Sequence, residues 1–551
     1  MSRSDEGSVR ATPVPAAHDP SADAAAPDPR RWWTLTVLCL SLLIVIVGNS
    51  SLNVAIPTLS RQLHASNSQL QWVVAAYSLV FAGLLFTAGA LGDRFGRKGA
   101  LQFGLLGFLV GVVLASASTQ MWQLIACRAL MGACAAFIMP STLSILVNVF
   151  PADERAKAIA IWAGITGGAG AVGPVASGWL LGHFWFGSVF LVNVPIILVA
   201  LGLGVVLVPR SKKPDDTPLD IVGAALSIVG ISSIVYGLIQ APDKGWSSAQ
   251  TLAAFSVGIV VVIGFVAWER TRQHPMLDMA FFSNPAFSTA TGGMILVFLS
   301  MFGVLFLITQ YFQLVLGYSA LSSALRFLPI APIMMIVSPL TPRIISRVGH
   351  NRTVAAGMGL LALGFVLFSR LGVHTPYSYL LLCLLFLISG IALSMSPMTA
   401  AIMSAVPPSR AGAGSAMNDA TRELGAALGV AVLGSLAASR YTSGLRASTA
   451  SLPPADRSAA HTSLAGALQT ASRLPAESAA RLVAGADHAF VAGIHVAATG
   501  GAILAAIAAL IVLRFLPRHI AQHGGDHPAP GGEAGSDRGA PRVFSDSAAA
   551  D

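Results

Sequence analysis

The chain has 551 residues, 54% of them hydrophobic and only 10% charged, with a mean hydropathy of +0.72. Soluble globular domains carry about 25% charged residues, so this composition excludes an ordinary soluble enzyme or binding domain. The formal charge of +9 would suit a nucleic-acid partner, but the cations cluster in alternate loops between apolar runs, so no nucleic acid is expected.

Residues 1–31 are rich in Ala, Pro, Asp and Ser and lack the apolar stretch of a signal peptide; they read as a disordered tail. Runs near the ~20 residues that a bilayer requires then follow, about fourteen in all. The first seven lie near Trp33–Pro57, Leu70–Leu91, Gly99–Ser116, Trp122–Leu146, Ala156–Leu181, Val189–Val208 and Leu219–Ile239. The first contains Gly48-Asn49-Ser50-Ser51-Leu52-Asn53-Val54-Ala55-Ile56-Pro57, and the second opens on Gln71-Trp72-Val73-Val74-Ala75-Ala76-Tyr77. Between the second and third lies Gly89-Ala90-Leu91-Gly92-Asp93-Arg94-Phe95-Gly96-Arg97-Lys98, too short to be a domain. Its glycines let two helix ends approach, and Asp93 is placed to pair with a cation or a helix N-terminus. The fourth run holds Arg128. A charged side chain in the bilayer centre costs about 2.5–3.5 kcal/mol, so Arg128 either faces a cavity or a partner, or snorkels to the nearby interface. The fifth carries Gly167-Gly168-Ala169-Gly170-Ala171-Val172-Gly173-Pro174-Val175-Ala176-Ser177-Gly178, in which glycines permit close packing and Pro174 removes a helix hydrogen bond. Cys39, Cys127, Cys134 and Cys383 lie inside apolar runs without metal or disulfide spacing and read as packing residues.

The second seven runs lie near Thr251–Trp268, Ala286–Leu314, Ser323–Leu340, Thr353–Arg370, Tyr377–Ala405, Ala411–Ser435 and Ala489–Leu513. Ser346-Arg347-Val348-Gly349-His350-Asn351-Arg352 echoes the Asp93 turn, with Ser346 in the place of the acid, and marks a weak internal repeat of the kind from which transporters are built. The thirteenth run contains Asn418-Asp419-Ala420-Thr421-Arg422-Glu423. Asp419, Arg422 and Glu423 share one helix face. One arginine can neutralise one carboxylate, which leaves the other as the natural proton carrier; the alternative is a solvated ion pair at the membrane rim. Residues 437–488 form a long external loop whose spaced Arg and Leu fit an amphipathic helix, and residues 517–551 a second disordered tail.

Arg30, Arg31, Arg94, Arg97, Lys98, Arg155, Lys157, Arg210, Lys212, Lys213, Arg270, Arg272, Arg343, Arg347, Arg352, Arg410, Arg514 and Arg518 fall at one set of loops and termini. The opposite short loops hold Arg61, Lys244, Arg326 and Arg370. The positive-inside rule makes the first set cytoplasmic and, with an even number of spans, puts both termini there.

The turn after the second span resembles the G-x-L-x-D-R-x-G-R-K/R signature of the major facilitator superfamily; Gly89, Leu91, Asp93, Arg94, Gly96, Arg97 and Lys98 match it. Arg128 and Gly132 resemble that superfamily's R-x-x-Q-G, with Met131 in the glutamine position. Gly173-Pro174-x-x-Ser177-Gly178 resembles the antiporter motif G-P-x-x-G-G, to which Gly170 belongs. The Gln71–Tyr77 opening, Trp185-Phe186 before Phe190-Leu191-Val192-Asn193-Val194-Pro195, Gly245-Trp246-Ser247 and Gln310-Tyr311-Phe312-Gln313 are together similar to the fourteen-helix drug:proton antiporters of the EmrB/QacA type. The likeness spans roughly Trp33 to Leu516. The family's first span usually reads D-x-T-x-x-N-V-A-L-P, so Gly48 stands where a membrane acid is usual, and Glu423 stands where relatives carry glutamine.

The resemblance implies an all-α membrane protein of fourteen transmembrane helices: a six-helix bundle over 32–208, two inserted helices with a linker over 209–285, and a six-helix bundle over 286–516. It implies a monomeric secondary transporter of the bacterial inner membrane that exports hydrophobic or cationic drugs for protons, through a cavity lined in part by Asn49, Asn53, Gln310, Tyr311 and Gln313. No cofactor or metal is implied, and the absence of a G-x-x-x-x-G-K-[ST] phosphate loop argues against direct drive by ATP. The alternatives are a dedicated exporter of one natural product or metabolite and, more remotely, a non-transporting sensor on the same fold.

Overall fold

The computed structural model describes residues 29–210, 220–273, 275, 277–406 and 411–518, and every regular element among them is helical. The greater part of both expected tails lies outside the described residues, as do Lys212, Lys213 and Arg410. The chain begins with α1 (Arg31–Gln62), α2 (Asn67–Phe95), α3 (Arg97–Ser116), α4 (Met121–Val149), α5 (Ala152–His183), α6 (Ser188–Leu191) and α7 (Asn193–Leu207). It continues with α8 (Ile221–Lys244), α9 (Ala249–Thr271), α10 (Pro285–Gln310) with a π-helical turn at Tyr311–Val315, α11 (Ala320–Leu325), α12 (Ile330–Val348), α13 (His350–Phe368) and α14 (Tyr377–Ser404). It ends with α15 (Ala411–Leu445), α16 (Pro454–Thr462), α17 (Leu464–Ala471) and α18 (Ala476–Phe515). Thirteen helical segments among the described residues are long and apolar enough to cross a bilayer, and α5, at 32 residues, has the length for a fourteenth.

Only helices that satisfy their own backbone can cross hydrocarbon singly. Polar residues mark where several of them start: Ser66 and Gln69 form a capping box on α2, and Asn284 caps α10 ahead of Pro285. Two runs that read as single spans are broken. The sixth is split between α6 and α7 at Val192, because Pro195 has no N–H to offer Leu191; the tenth is split between α11 and α12 around Pro329.

Helices α1–α7 pack as one bundle and α10–α15 with α18 as a second, while α9 pairs with α8 and α8 lies against α2 and α15, where the bundles meet. Asp220 ties the inserted pair together, accepting from the Gly223 N–H at 2.7 Å and the Trp268 indole N–H at 2.9 Å.

The internal repeat is visible in the backbone. One glycine separates α2 from α3 and one separates α12 from α13: Gly96 with φ of 115° and Gly349 with φ of 90°, both in the region that only glycine adopts freely. In each bundle this turn meets the end of its sixth span. Lys98 Nζ donates to the Val205 carbonyl at 2.7 Å, and the His350 N–H to the Arg518 carbonyl at 2.9 Å.

Residues 437–488 are more ordered than a loop. Helix α15 continues to Leu445, α16 and α17 follow, and α18 begins at Ala476. Small and apolar side chains (Ala460, Leu464, Ala467, Leu482, Ala486) are buried among these pieces, and Arg457 ties them by donating to the Thr449, Ala450 and Leu452 carbonyls. This cap reaches the first bundle, where Ser60 and Ser463 hydroxyls lie 3.4 Å apart and His64 Nδ1 lies 3.1 Å from Gln469 Oε1.

Candidate functional site

The bundles join at the end away from the Arg94–Lys98 turn. There the Ser435 hydroxyl of α15 donates to Gln71 Oε1 of α2 at 3.3 Å, and the Gln313 amide donates to the Val54 carbonyl of α1 at 3.0 Å. One and two turns further in, Ala75 and Leu79 of α2 pack on Ala427 and Ala431 of α15. Gly178 of α5 meets α11 so closely that an added Cβ would lie 2.7 Å from Leu321 Cα. The Ser60–Ser463 and His64–Gln469 contacts lie at this end too.

The antiporter-like glycines therefore serve two contacts. Gly173 lets α5 approach α1 inside its own bundle: an added Cβ would sit 2.2 Å from Ser50 Oγ, and Ser51 donates to the Gly173 carbonyl at 3.2 Å. Gly178 makes the contact between bundles, whereas Gly170 faces open space. Pro174 lies within α5, between the two contact positions.

Arg128 lies wholly inside the protein, with no exposed surface. Its guanidinium donates to the Val73 carbonyl at 3.1 Å, the Gly48 carbonyl at 3.3 Å and Asn49 Oδ1 at 3.0 Å, and its charge stands 4.3 Å from the centre of the Tyr77 ring. Of the two sequence readings, the one in which Arg128 has partners describes this geometry; it does not snorkel. All three hydrogen-bond partners are neutral. The backbone oxygen of Gly48 answers the arginine where a carboxylate is usual in the first span.

On α15, Arg422 Nη1 lies 3.8 Å from Asp419 Oδ1, both side chains about a quarter exposed, and the guanidinium stands 5.6 Å from the Phe298 ring centre. Glu423 points toward α2. It lies at the Ser78 hydroxyl and within electrostatic reach of Arg128, Asp419 and Arg422. Glu423 Oε2 is buried without a hydrogen-bond partner. The structure thus brings Asn49, Arg128 and Glu423, drawn from three separate motifs, around Tyr77 and Ser78. In the sequence Tyr77 stands out only as part of the Gln71–Tyr77 opening, and Ser78 belongs to no motif. The available signal was polar spacing: Gln71 and Ser78, seven residues apart on an apolar helix, share a face.

The remaining expected cavity residues lie elsewhere. Asn53 is buried on α1. Gln310 donates within α10 to the Phe306 carbonyl, Tyr311 donates its hydroxyl to the Gly372 carbonyl at 2.6 Å, and Gln313 serves the joint on α1. The π-turn at 311–315, which sequence does not announce, aims these side chains; such turns are often found at functional sites. In the Asp93 turn, Gly89 packs beside Pro140, Arg94 is exposed beside Phe95, and Gly96 closes α2 by donating to the Gly92 carbonyl at 3.0 Å. Asp93 stands on α2, with its side chain outside the described residues. Arg97 opens α3.

Two half-bundles of membrane helices joined at one end, with charges at their seam, define a transporter scaffold. The sequence matches the Major Facilitator Superfamily over residues 38–430. It is 36% identical to the multidrug efflux pump LfrA of Mycolicibacterium smegmatis, over 88% of this chain and 96% of that one. It is 31% identical to the tetracenomycin C resistance and export protein of Streptomyces glaucescens, over 91% and 94%. In fold it is similar to a bacterial homologue of the lysosomal transporter Spinster, crystallised inward-facing and unoccupied, with a TM-score of 0.61 at 15% identity over 88% of this chain and 99% of that one. The chain belongs to the major facilitator superfamily. It is a multi-pass membrane transporter and not an enzyme.

Proposed function

We propose that this protein is a proton-driven exporter of hydrophobic or cationic drugs in a bacterial inner membrane. The observation that carries the reading is the seam: carboxylates and cations of α15 and α4 lie where the two bundles meet, and the hydrogen bonds Gln71–Ser435 and Gln313–Val54 that join the bundles lie toward one end. Alternation of that joint between the two ends would expose the seam first to one side and then to the other. The cation distribution puts the Arg94–Lys98 end in the cytoplasm, so the described conformation opens inward. Asp419, Arg422 and Glu423 would carry the coupling proton, and the Asp93 turn would hold the gate. The relatives named for multidrug efflux and for antibiotic export support drug export; the one named for a single compound, tetracenomycin C, supports the narrower reading of one natural product.

The test uses proteoliposomes with an imposed pH gradient and ethidium, a lipophilic cation, as probe, followed by a panel of chemically unrelated drugs. Uphill ethidium movement that requires the gradient, and that is lost in the Asp419→Asn/Glu423→Gln variant, is the expected result. Transport unaffected by collapse of the gradient would reject proton drive; protection against one compound of the panel alone would select the dedicated exporter. Cysteines placed singly at Arg97 and Ser451 in a Cys-free background should label from opposite sides of the membrane.

A further inference from the structure

We propose that Glu423 is the counter-charge of Arg128, supplied across the seam from the other bundle in place of the first-span acid that position 48 lacks, and that the driving proton switches this pair. The proposal rests on the proton-driven reading above and assigns its switch to one acid and one base.

Three observations carry it. First, Arg128 is fully buried and hydrogen-bonded to neutral oxygens only, so its hydrogen bonds are met while its charge is not. A buried cation without a nearby anion is unfavourable, so a compensating carboxylate within the same low-dielectric region is expected. Secondly, the missing acid cannot be regained by side-chain movement. The space beside Gly48 is filled: a Cβ there would lie 3.1 Å from Phe108 Cζ and 3.8 Å from Met131 Cε. Thirdly, one carboxylate oxygen faces this region from outside the bundle. Glu423 Oε2 is buried without a hydrogen-bond partner, and the carboxyl lies beside the Ser78 hydroxyl; Ser78 follows Tyr77, whose ring stands against Arg128. The α2–α15 packing that runs through Gln71–Ser435 and Leu79–Ala427 holds these side chains in register. Of the other charges facing Glu423, Asp419 has Arg422 at 3.8 Å, so Arg128 is the cation left without an acid of its own.

The resulting cycle is simple in its chemistry. With the bundles open to the cytoplasm, Glu423 has released its proton there and is held by Arg128. With the seam open outward, α15 has parted from α2 and a proton adds to the freed carboxylate; neutral Glu423 then lets the bundles close again until the proton is released to the cytoplasm. A cationic substrate loaded from the cytoplasm takes the place of Arg128 at Glu423, and on leaving outward it vacates the carboxylate that the proton then fills.

The test exchanges the two positions. Glu423→Gln should lower pH-driven ethidium efflux about tenfold or more and flatten its pH profile, and it should melt below the parent because Arg128 is left uncompensated. Adding Gly48→Asp to Glu423→Gln should restore both the efflux and a pH profile; a third form with Phe108→Leu gives the new side chain room. Efflux and pH profile unchanged in Glu423→Gln would overturn the proposal. So would failure of both exchange variants to restore efflux while they melt like the parent. A parent protein that moves ethidium without regard to the gradient would instead reject the proton-driven reading itself.

Discussion

The two bundles repeat a scaffold but not its charges. Each joins its second and third spans through a single positive-φ glycine, Gly96 or Gly349, and each docks that turn on the end of its sixth span. Yet the first turn carries Asp93 and the second Ser346, the first bundle buries a cation at Arg128, and the second places acids at Asp419 and Glu423 on α15. The backbone geometry is what each bundle needs in order to fold, so it is duplicated. The charges are divided, as the proposed switch between bundles requires: unlike groups on the two sides of the seam.

That distinction between contacts inside a bundle and contacts between bundles can be broken by a pair of glycines. Gly429 packs α15 on α10 within the second bundle, and an added Cβ would fall 2.2 Å from the Leu299 carbonyl oxygen; Gly178 makes a close contact across the seam, 2.7 Å from Leu321 Cα on α11. Overpacking of this kind costs about 1–3 kcal/mol or more where backbone is the obstacle. Gly429→Val should therefore fold poorly, seen as low yield and early melting. Gly178→Val should melt like the parent and lose transport, because only the joint between the bundles is blocked. Equal loss of stability in both would show that the seam is as permanent as the bundle interiors.

A smaller effect is expected at the repeated turns. Gly96→Ala and Gly349→Ala each place a side chain in left-handed backbone at about 1–2 kcal/mol. Gly349→Ala should be the worse, since its Cβ would also meet the Arg518 carbonyl oxygen at 3.1 Å, and thermal melting of the two variants checks the order. The smallest effect concerns the Arg31–Glu154 ion pair, 2.7 Å across, which ties α1 to the start of α5. The hydrogen bond from Arg31 holds the Glu154 carboxyl below its ordinary range. A depressed folded-state value gives stability that is present above the ordinary carboxylate pKa and is lost as the pH falls through the folded value. The melting difference between the parent and Glu154→Gln should thus be small at about pH 7 and vanish toward about pH 3.

Much of the fold was readable because hydrocarbon leaves few choices: long apolar runs must be helices, and glycine at 96 and 349 announces the tight turns. The breaks at Val192 and around Pro329 were missed because hydropathy sums over a window, whereas one absent N–H is a local event. The helical cap at 437–488 was missed as an ordered unit because alanine and serine bury little area, and its packing is seen only with α1 and α18 in place. The site was half readable. Arg128, Asp419, Arg422 and Glu423 stand out as charges in apolar helices, and Gly48 as a departure from the family pattern. Their grouping was not readable, because Arg128 and Glu423 lie in different bundles and no local spacing relates them. Tyr311 shows the opposite failure: a polar residue in an apolar stretch whose hydroxyl serves the Gly372 carbonyl.

The central claim is that a cation of one bundle and an acid of the other act as one unit across the seam. A double-mutant cycle on Arg128→Gln and Glu423→Gln in nanodiscs, read as unfolding free energy at neutral pH, tests it directly. The account predicts that removing both charges is less harmful than the sum of the single losses, by about 1 kcal/mol or more. Single effects that add to within about 0.5 kcal/mol would contradict it.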